Sequence, residues 1–442
     1  MFLDFIFDVF VSHAKDPAII YNDDSVLYRE LYLDTIQHII SLRHQGIKEG
    51  DIVALRSDFS TKAIPYLLAL IEIGTIVVPI SPAVKDIENF YTIAGVQYAI
   101  DLVEDTTKSY VSATYDHKLY TVLRKRKHPG LVLFSSGSTG KPKAAVHDFV
   151  YLLKKFKTNK PALKILTFLL FDHIGGINTL FYVLSTGGTA VIPSQRTPDY
   201  ICSLIEKHHI EILPTSPTFL NMILIGKAYQ SYDLSSLKAI TYGTEIMPES
   251  VLQTLSAVFP NAKLKQTYGL SELGIMRTKS AGNDSLWVKV GGEDYETKIV
   301  NDTLYIKAKS AMLGYLNAPS PFDQDGWFNT QDRVEQNGDW IRFLGRQSDI
   351  INVGGQKVYP AEVESVLLQM PEIIDISVYG KSHPLTQMIV AAKITVEQDM
   401  PLSHLKHAIR KFCVGKLENY KVPVSVTIVN TSQVTDRFKK IR

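Results

Sequence analysis

An α/β fold is expected for this chain, with a large layered N-terminal part built on parallel or mixed sheets and a small α+β part after it. Three observations predict it. Between residues 131 and 269, short apolar runs alternate with helical stretches over brief connections, the pattern of helices packed on a layered sheet. Past Gly282 the alternation gives way to short strands and hairpins. After Gly345 a compact mixture of helices and strands follows, which places a boundary between residues 346 and 347 and domains at 1–346 and 347–442.

The elements follow in order. In "MFLDFIFDVFVSHAKDPA", Phe2, Phe5, Ile6, Val9 and Phe10 recur at helical spacing, which predicts an amphipathic helix packed on the surface. A basic leader is absent and Asp4 and Asp8 interrupt the apolar run, so the stretch does not read as a signal peptide. "DIVALRS", a helix to Glu72 and "TIVVPIS" begin the alternation. "LVLFS" is expected to lead into a polar helical stretch. Then come "KILTFLLF", a helix from Ile177 to Leu184, "GTAVIP", a helix over Tyr200 to His208 and "IEILPTS". A helix to Ile225, "LKAITYG", a helix from Pro248 and "KLKQTYG" complete the series. Asn337-Gly338 between two alternating runs predicts a tight hairpin. The last part reads as a helix from Ala361 to Gln369, strands "IIDISVYG" and "QMIVAAKITV", a helix over 403–414 and the strand "VSVTIV".

Composition narrows the function. The chain has 442 residues and is 45% apolar, enough for more than one domain and a sizeable core. Its 47 lysines and arginines meet 45 acidic residues, a net charge of +2, so no polyanion partner is implied. "RKRKH" at 124–128 reads as a solvated lead-in to the next strand. Two distant cysteines, Cys202 and Cys413, argue against a disulfide framework or a zinc site and fit a reducing cytoplasm. No apolar run reaches membrane-span length without charges or breakers.

The stretch "LFSSGSTGKPKAAVHD" (133–148) runs from an apolar strand into glycine, serine, threonine and lysine. A Walker loop needs a glycine five residues before the G-K pair and Ser or Thr after it. Ser135 and Pro142 stand there instead. What remains is a hydroxyl-rich loop, read as joining strand to helix, whose N–H groups and hydroxyls can wrap a polyphosphate.

"SSGSTGKPKAAVH" resembles the phosphate-loop signature of the adenylate-forming superfamily, the acyl-CoA synthetases and their relatives. "QTYGLSE" (266–272), "GWFNTQD" (326–332), "GRQSDIINVGGQKVYPAEVE" (345–364) and "TDRFKKIR" (435–442) resemble its further signatures, in order and at suitable separations. The resemblance implies ATP and Mg2+ as cofactors and two half-reactions. A carboxylic acid, fatty or aryl, is activated as acyl-AMP with release of pyrophosphate. Its acyl group then passes to CoA or to the phosphopantetheinyl arm of an acyl carrier protein. No nucleic acid partner and no membrane span are implied. The fold implied is a large domain and a small mobile one.

Residue by residue, the resemblance gives Ser135, Ser136, Gly137, Ser138, Thr139, Gly140 and Lys141 to the β- and γ-phosphates. Ser271 falls at the α-phosphate, and Glu272 holds magnesium through a hard oxygen ligand. Tyr268 and Gly269 lie against the adenine, opposite Gly243, Thr244 and Glu245. Asp332 takes both ribose hydroxyls, as a carboxylate can, and Arg346 supports them. Lys439 is the catalytic lysine of the tail, with Lys440 as a stand-in. His173 sits at the mouth of an acyl pocket walled by Ile177, Asn178, Tyr242, Thr244, Leu270 and Met276. The hinge and thiol tunnel fall on Ser348, Asp349, Gly354 and Gly355.

Three departures stand out. Gln331 and Phe438 replace glycines of the pattern, and Ser348 replaces the usual hinge residue. They leave a catalytically retired binding protein of the same fold as a rival reading. Matching "FD" rather than "HIGG" in "LFDHIGGINTL" would make Asp172 an ammonium partner, as in a stand-alone amino-acid-adenylating enzyme. An ATP-dependent luciferase-like oxygenase would need a luciferin pocket, and no such pattern is present.

Overall fold

The computed structural model describes every residue except 111–114, 137–141, 159, 399, 430–434, 436–439 and 441–442. The described strands form two seven-stranded sheets, a six-stranded sheet, a small two-stranded ribbon and a five-stranded sheet near the C-terminus. One seven-stranded sheet runs in the order 263–266, 239–242, 212–215, 164–166, 189–192, 17–21, 24–27. The other runs 314–315, 142–148, 130–136, 76–80, 52–56, 98–101, 106–109.

Helices Asp4–Ser12, Tyr28–His44, Ala63–Ile73 and Ile174–Thr186 supply the apolar cluster that joins these sheets, with Leu3, Leu31, Leu68 and Phe181 fully buried in it. Ala63–Ile73 is apolar almost all round, as a helix enclosed on every side must be. The N-terminal helix is present, but its buried face is Leu3, Ile6, Phe7 and Phe10. Phe5 and Val9 lie at its edge. Among the described residues no helix is long and apolar enough to cross a membrane.

One expected element is overturned. The polar stretch after "LVLFS" is a strand, Pro142–Asp148, and not a helix. It pairs antiparallel with Gly130–Ser136 along its whole length, from Gly130↔Asp148 to Ser136↔Pro142. Gly314–Tyr315 borders its other side. Local propensity was outweighed because both edges of this segment find strand partners. The phosphate-loop signature therefore bridges two strands, and the helix that follows is the short Phe149–Leu153. "KILTFLLF" contributes only Lys164–Leu166 to its sheet.

The six-stranded sheet contains the expected hairpin, Phe328–Asn337 paired with Trp340–Arg346. A five-stranded sheet begins at Ile351 and carries helices Pro360–Leu367 and Leu402–Cys413 over its own apolar cluster.

Candidate active site

Strands Ala239–Tyr242 and Lys263–Gln266 are parallel neighbours, with Tyr242 opposite Gln266. The segments Gly243–Glu245 and Thr267–Gly269 thus leave the sheet side by side at its carboxyl edge, the usual place for a ligand in such sheets. The Thr267 N–H ties the two together, donating to the Tyr242 carbonyl at 2.7 Å. Gly243 is required here: a Cβ would sit 2.5 Å from Thr267 Oγ1 and 2.8 Å from its carbonyl.

Across from this edge stands the hairpin that carries the ribose candidates. Asp332 and Arg346 are cross-strand partners, and Arg346 Nε lies 3.3 Å from Asp332 Oδ1. The Tyr268 hydroxyl donates to Asp332 Oδ2 at 2.5 Å. Burial, with the Asp332 carboxylate adding to it, pushes the Tyr268 phenol well above its ordinary value, so this hydroxyl is a donor. Burial also raises the Asp332 carboxyl, against the pull of Arg346. Phe343 stacks on one face of the Tyr268 ring, centroids 4.5 Å apart and planes at 21°. Gln331 takes a left-handed φ of 60°, the conformation a glycine adopts freely. Its N–H is held by Asn329 Oδ1 at 2.9 Å.

Glu272 accepts the Tyr315 hydroxyl at 2.5 Å. Ser271 presents its carbonyl to His147 Nε2 at 2.6 Å, so that nitrogen carries the proton. Burial lowers the His147 pKa to about 4, and the ring is neutral. Glu245 receives the Thr218 hydroxyl at 2.5 Å and the backbone N–H of Lys440 at 2.6 Å. The chain end therefore reaches the site. The Lys440 ammonium turns away from it, to the Ile376 carbonyl at 2.6 Å and Asp375 at 3.3 Å. In this arrangement the Lys440 ammonium is held within the five-stranded sheet.

His173 is half-buried at the N-cap of helix Ile174–Thr186, its Nδ1 accepting from the Gly175 N–H at 3.1 Å. The glycine pair after it has a packing reason, since a Cβ at Gly176 would lie 2.1 Å from the Leu170 carbonyl. The wall candidates fall in separate clusters. Ile177 belongs to the intersheet core and Tyr242 is 1% exposed in a second cluster. Leu270 and Met276 lie in a third, against the six-stranded sheet. Asn178 is partly exposed. Asp172 is buried.

Ser348 and Asp349 form a turn of 3-10 helix, with Ser348 Oγ donating to Asp349 Oδ1 at 2.9 Å. Gly354 and Gly355, at φ 56° and 91°, make the turn between Ile351–Val353 and Gln356–Val358. Ser135 pairs with Lys143 one residue before the end of its strand, which Ser136 closes at the backbone. Gly137, Ser138, Thr139, Gly140, Lys141, Phe438 and Lys439 lie outside the described residues.

The sequence reading missed His147, Tyr315 and Thr218. Each reaches the site from a distant part of the chain; Tyr315 and Thr218 lie in no motif, and His147 closes the phosphate-loop signature, which gave it no role.

A family model described as AMP-binding enzyme matches residues 8–316, and one described as AMP-binding enzyme C-terminal domain matches 362–439. The chain belongs to the AMP-binding enzyme family. Among relatives of this AMP-binding enzyme, indoleacetate–CoA ligase of Aromatoleum aromaticum is 28% identical over 334 residues, 68% of this chain and 64% of that protein. The putative acyl–CoA ligase YdaB of Bacillus subtilis is 27% identical over 478 residues, covering 95% and 93%. The anthranilate CoA ligase AuaEII, solved with anthranoyl-AMP, superposes with a TM-score of 0.85 at 20% identity, covering 100% of this chain and 95% of that one. The o-succinylbenzoate CoA synthetase of Bacillus subtilis, solved with ATP and magnesium, gives 0.77 at 20%, covering 99% and 98%. At these identities the structures share the fold.

Proposed function

We propose that this AMP-binding enzyme is an ATP-dependent acid–thiol ligase that activates a carboxylic acid as its acyl-adenylate, releases pyrophosphate and transfers the acyl group to CoA. An acyl carrier protein is the finer alternative acceptor. The observation that carries the reading is the Tyr268–Asp332–Arg346 cluster beside the Gly243–Glu245 segment, with Glu272 in the turn of the ribbon that follows Tyr268. It supplies a carboxylate for two hydroxyls and an aromatic wall, the needs of a bound adenosine. CoA ligases among the relatives of both kinds support the second half-reaction.

The residues divide the work as follows. Asp332 accepts the ribose hydroxyls, and Tyr268 and Arg346 hold that carboxylate in place. Ser135 and the loop after it meet the phosphates. Glu272 fits a magnesium ion: its carboxylate is a hard oxygen ligand oriented by the Tyr315 hydroxyl at 2.5 Å, and this ion is commonly held by one or two carboxylates together with substrate phosphates. Bound there, it would neutralise phosphate charge. Lys439 neutralises the charge between the attacking carboxylate and the α-phosphate, while Lys440, its neighbour, is anchored in the five-stranded sheet. His173 and Asn178 face the acid. Residues 347–442 form the small domain that turns about Ser348 and Asp349 between half-reactions, and Gly354-Gly355 lines the path of the thiol.

A pyrophosphate-release screen over aliphatic, aryl and α-amino acids tests this. Release with an uncharged aliphatic or aryl acid, followed by CoA-thioester formation, is expected. Release with α-amino acids alone, lost in Asp172→Ala, would replace it with the amino-acid-adenylating reading. No release with any acid, despite tight ATP binding, would leave the retired binding protein.

A further inference from the structure

Residues 312–317 touch both halves of the phosphate-handling machinery. On one side they border the return strand of the phosphate-loop signature. Gly314 and Tyr315 pair with Val146 and Ala145, and the Leu313 and Leu316 N–H groups donate to the Val146 and Ala144 carbonyls at 2.7 and 2.9 Å. Beyond the paired residues, the Asn317 side chain continues the ladder in place of backbone. Its Oδ1 accepts from the Ala144 N–H at 3.0 Å and its Nδ2 donates to the Pro142 carbonyl at 2.8 Å. On the other side, the Met312 N–H donates to the Glu272 carbonyl at 2.8 Å, and the Tyr315 hydroxyl donates to the Glu272 carboxylate at 2.5 Å.

We propose that Met312–Asn317 is a strut that locks the phosphate-loop return strand and the Glu272 carboxylate into one unit, with Tyr315 the positioning residue for the metal-binding carboxylate and Asn317 for the base of the loop. The physical case is that a lone carboxylate on a flexible side chain must be ordered before it can direct an ion. A hydroxyl donated to one of its oxygens fixes the carboxylate plane and leaves the second oxygen to face the phosphates. The Tyr315 hydroxyl suits this because it lies 2.5 Å from Glu272 Oε1, and toward a carboxylate a phenol O–H is the donor. Asn317 acts as a backbone substitute. Its amide is the side-chain group that offers a carbonyl and an N–H together, and it uses both on residues immediately after the loop.

The strut rests on the reading of Glu272 as the magnesium carboxylate, and the test separates the two. ATP affinity is measured calorimetrically with and without Mg2+, in the absence of any acid, for the parent, Tyr315→Phe and Glu272→Gln; AMP affinity without metal is the control. Tyr315→Phe is expected to cut the gain in ATP affinity on adding Mg2+ about tenfold, the size of one charge-assisted hydrogen bond, with AMP affinity at the parental value. A parental gain in Tyr315→Phe, alongside a lost gain in Glu272→Gln, overturns the role of Tyr315. A parental gain in Glu272→Gln overturns the metal assignment itself. Asn317→Ala is expected to weaken metal-free ATP binding several-fold more than AMP binding, because the loop meets the outer phosphates. Equal weakening of the two overturns the role of Asn317.

Discussion

Asp332, proposed above as the ribose acceptor, is held by two neighbours of unlike chemistry. It is 8% exposed, and a phenol and a guanidinium hold its two oxygens against the burial that raises its pKa. Asp332→Asn keeps the volume and removes the charge. Hydrogen bonds to charged groups are worth about 1.5–3 kcal/mol each, so losing two charged acceptors should weaken AMP binding by roughly 3 kcal/mol, a hundredfold or more. Calorimetric AMP titration checks this, and an affinity within threefold of the parent would remove Asp332 from the ribose site. Gln331 beside it takes a left-handed backbone, which a glycine adopts freely, and Asp332 pairs in register with Arg346.

The hairpin Ile351–Val358 turns on Gly354 and Gly355, and a Cβ added at either meets nothing within 4 Å. In this conformation the pair is a solvent-facing turn. Asparagine tolerates the left-handed region better than other side chains, so Gly354→Asn, at φ 56°, should fold normally. If the turn lines the thiol path after domain rotation, the variant should form adenylate at the parental rate. It should transfer the acyl group to CoA about tenfold more slowly, because a fixed obstruction acts on one conformation only. Stopped-flow pyrophosphate release and thioester formation, measured separately, distinguish the two. Parental thioester formation would take this turn out of the thiol path.

At the scale of the molecule, the five-stranded sheet and its helices meet the larger part through helix Pro360–Leu367 and through Lys440. Helix Pro360–Leu367 meets helix Glu249–Val258, where the Ser250 N–H donates to Ser365 Oγ at 3.2 Å and the two hydroxyls stand 3.5 Å apart. The chain end adds the Lys440–Glu245 bond. Hydroxyl oxygens this close suit a disulfide after replacement by cysteine, and the native Cys202 and Cys413 are buried. The double variant Ser250→Cys with Ser365→Cys should, when oxidised, still make adenylate but fail to make thioester, and reduction should restore transfer. Thioester formed at the parental rate by the oxidised protein would show that the small domain need not turn.

The sequence by itself determined what depends on near neighbours. Element order in the parallel sheets, the Asn337-Gly338 turn and the N-terminal helix all follow from periodicity and turn chemistry a few residues long. The motifs likewise marked Asp332, Arg346, Tyr268 and Glu272 from their own surroundings. Tertiary structure decided what depends on partners far away in the chain. Pro142–Asp148 is a strand because Gly130–Ser136 and Gly314–Tyr315 flank it, and no local pattern states that. Tyr315 meets Glu272 across 43 residues and His147 meets Ser271 across 124. His147 lay inside a quoted motif, but neither it nor Tyr315 shows which group it will face until the sheets pack. Packing also placed the Lys440 ammonium against Asp375 and the Ile376 carbonyl in the five-stranded sheet, because a charged side chain goes to the carboxylate and carbonyl that can solvate it.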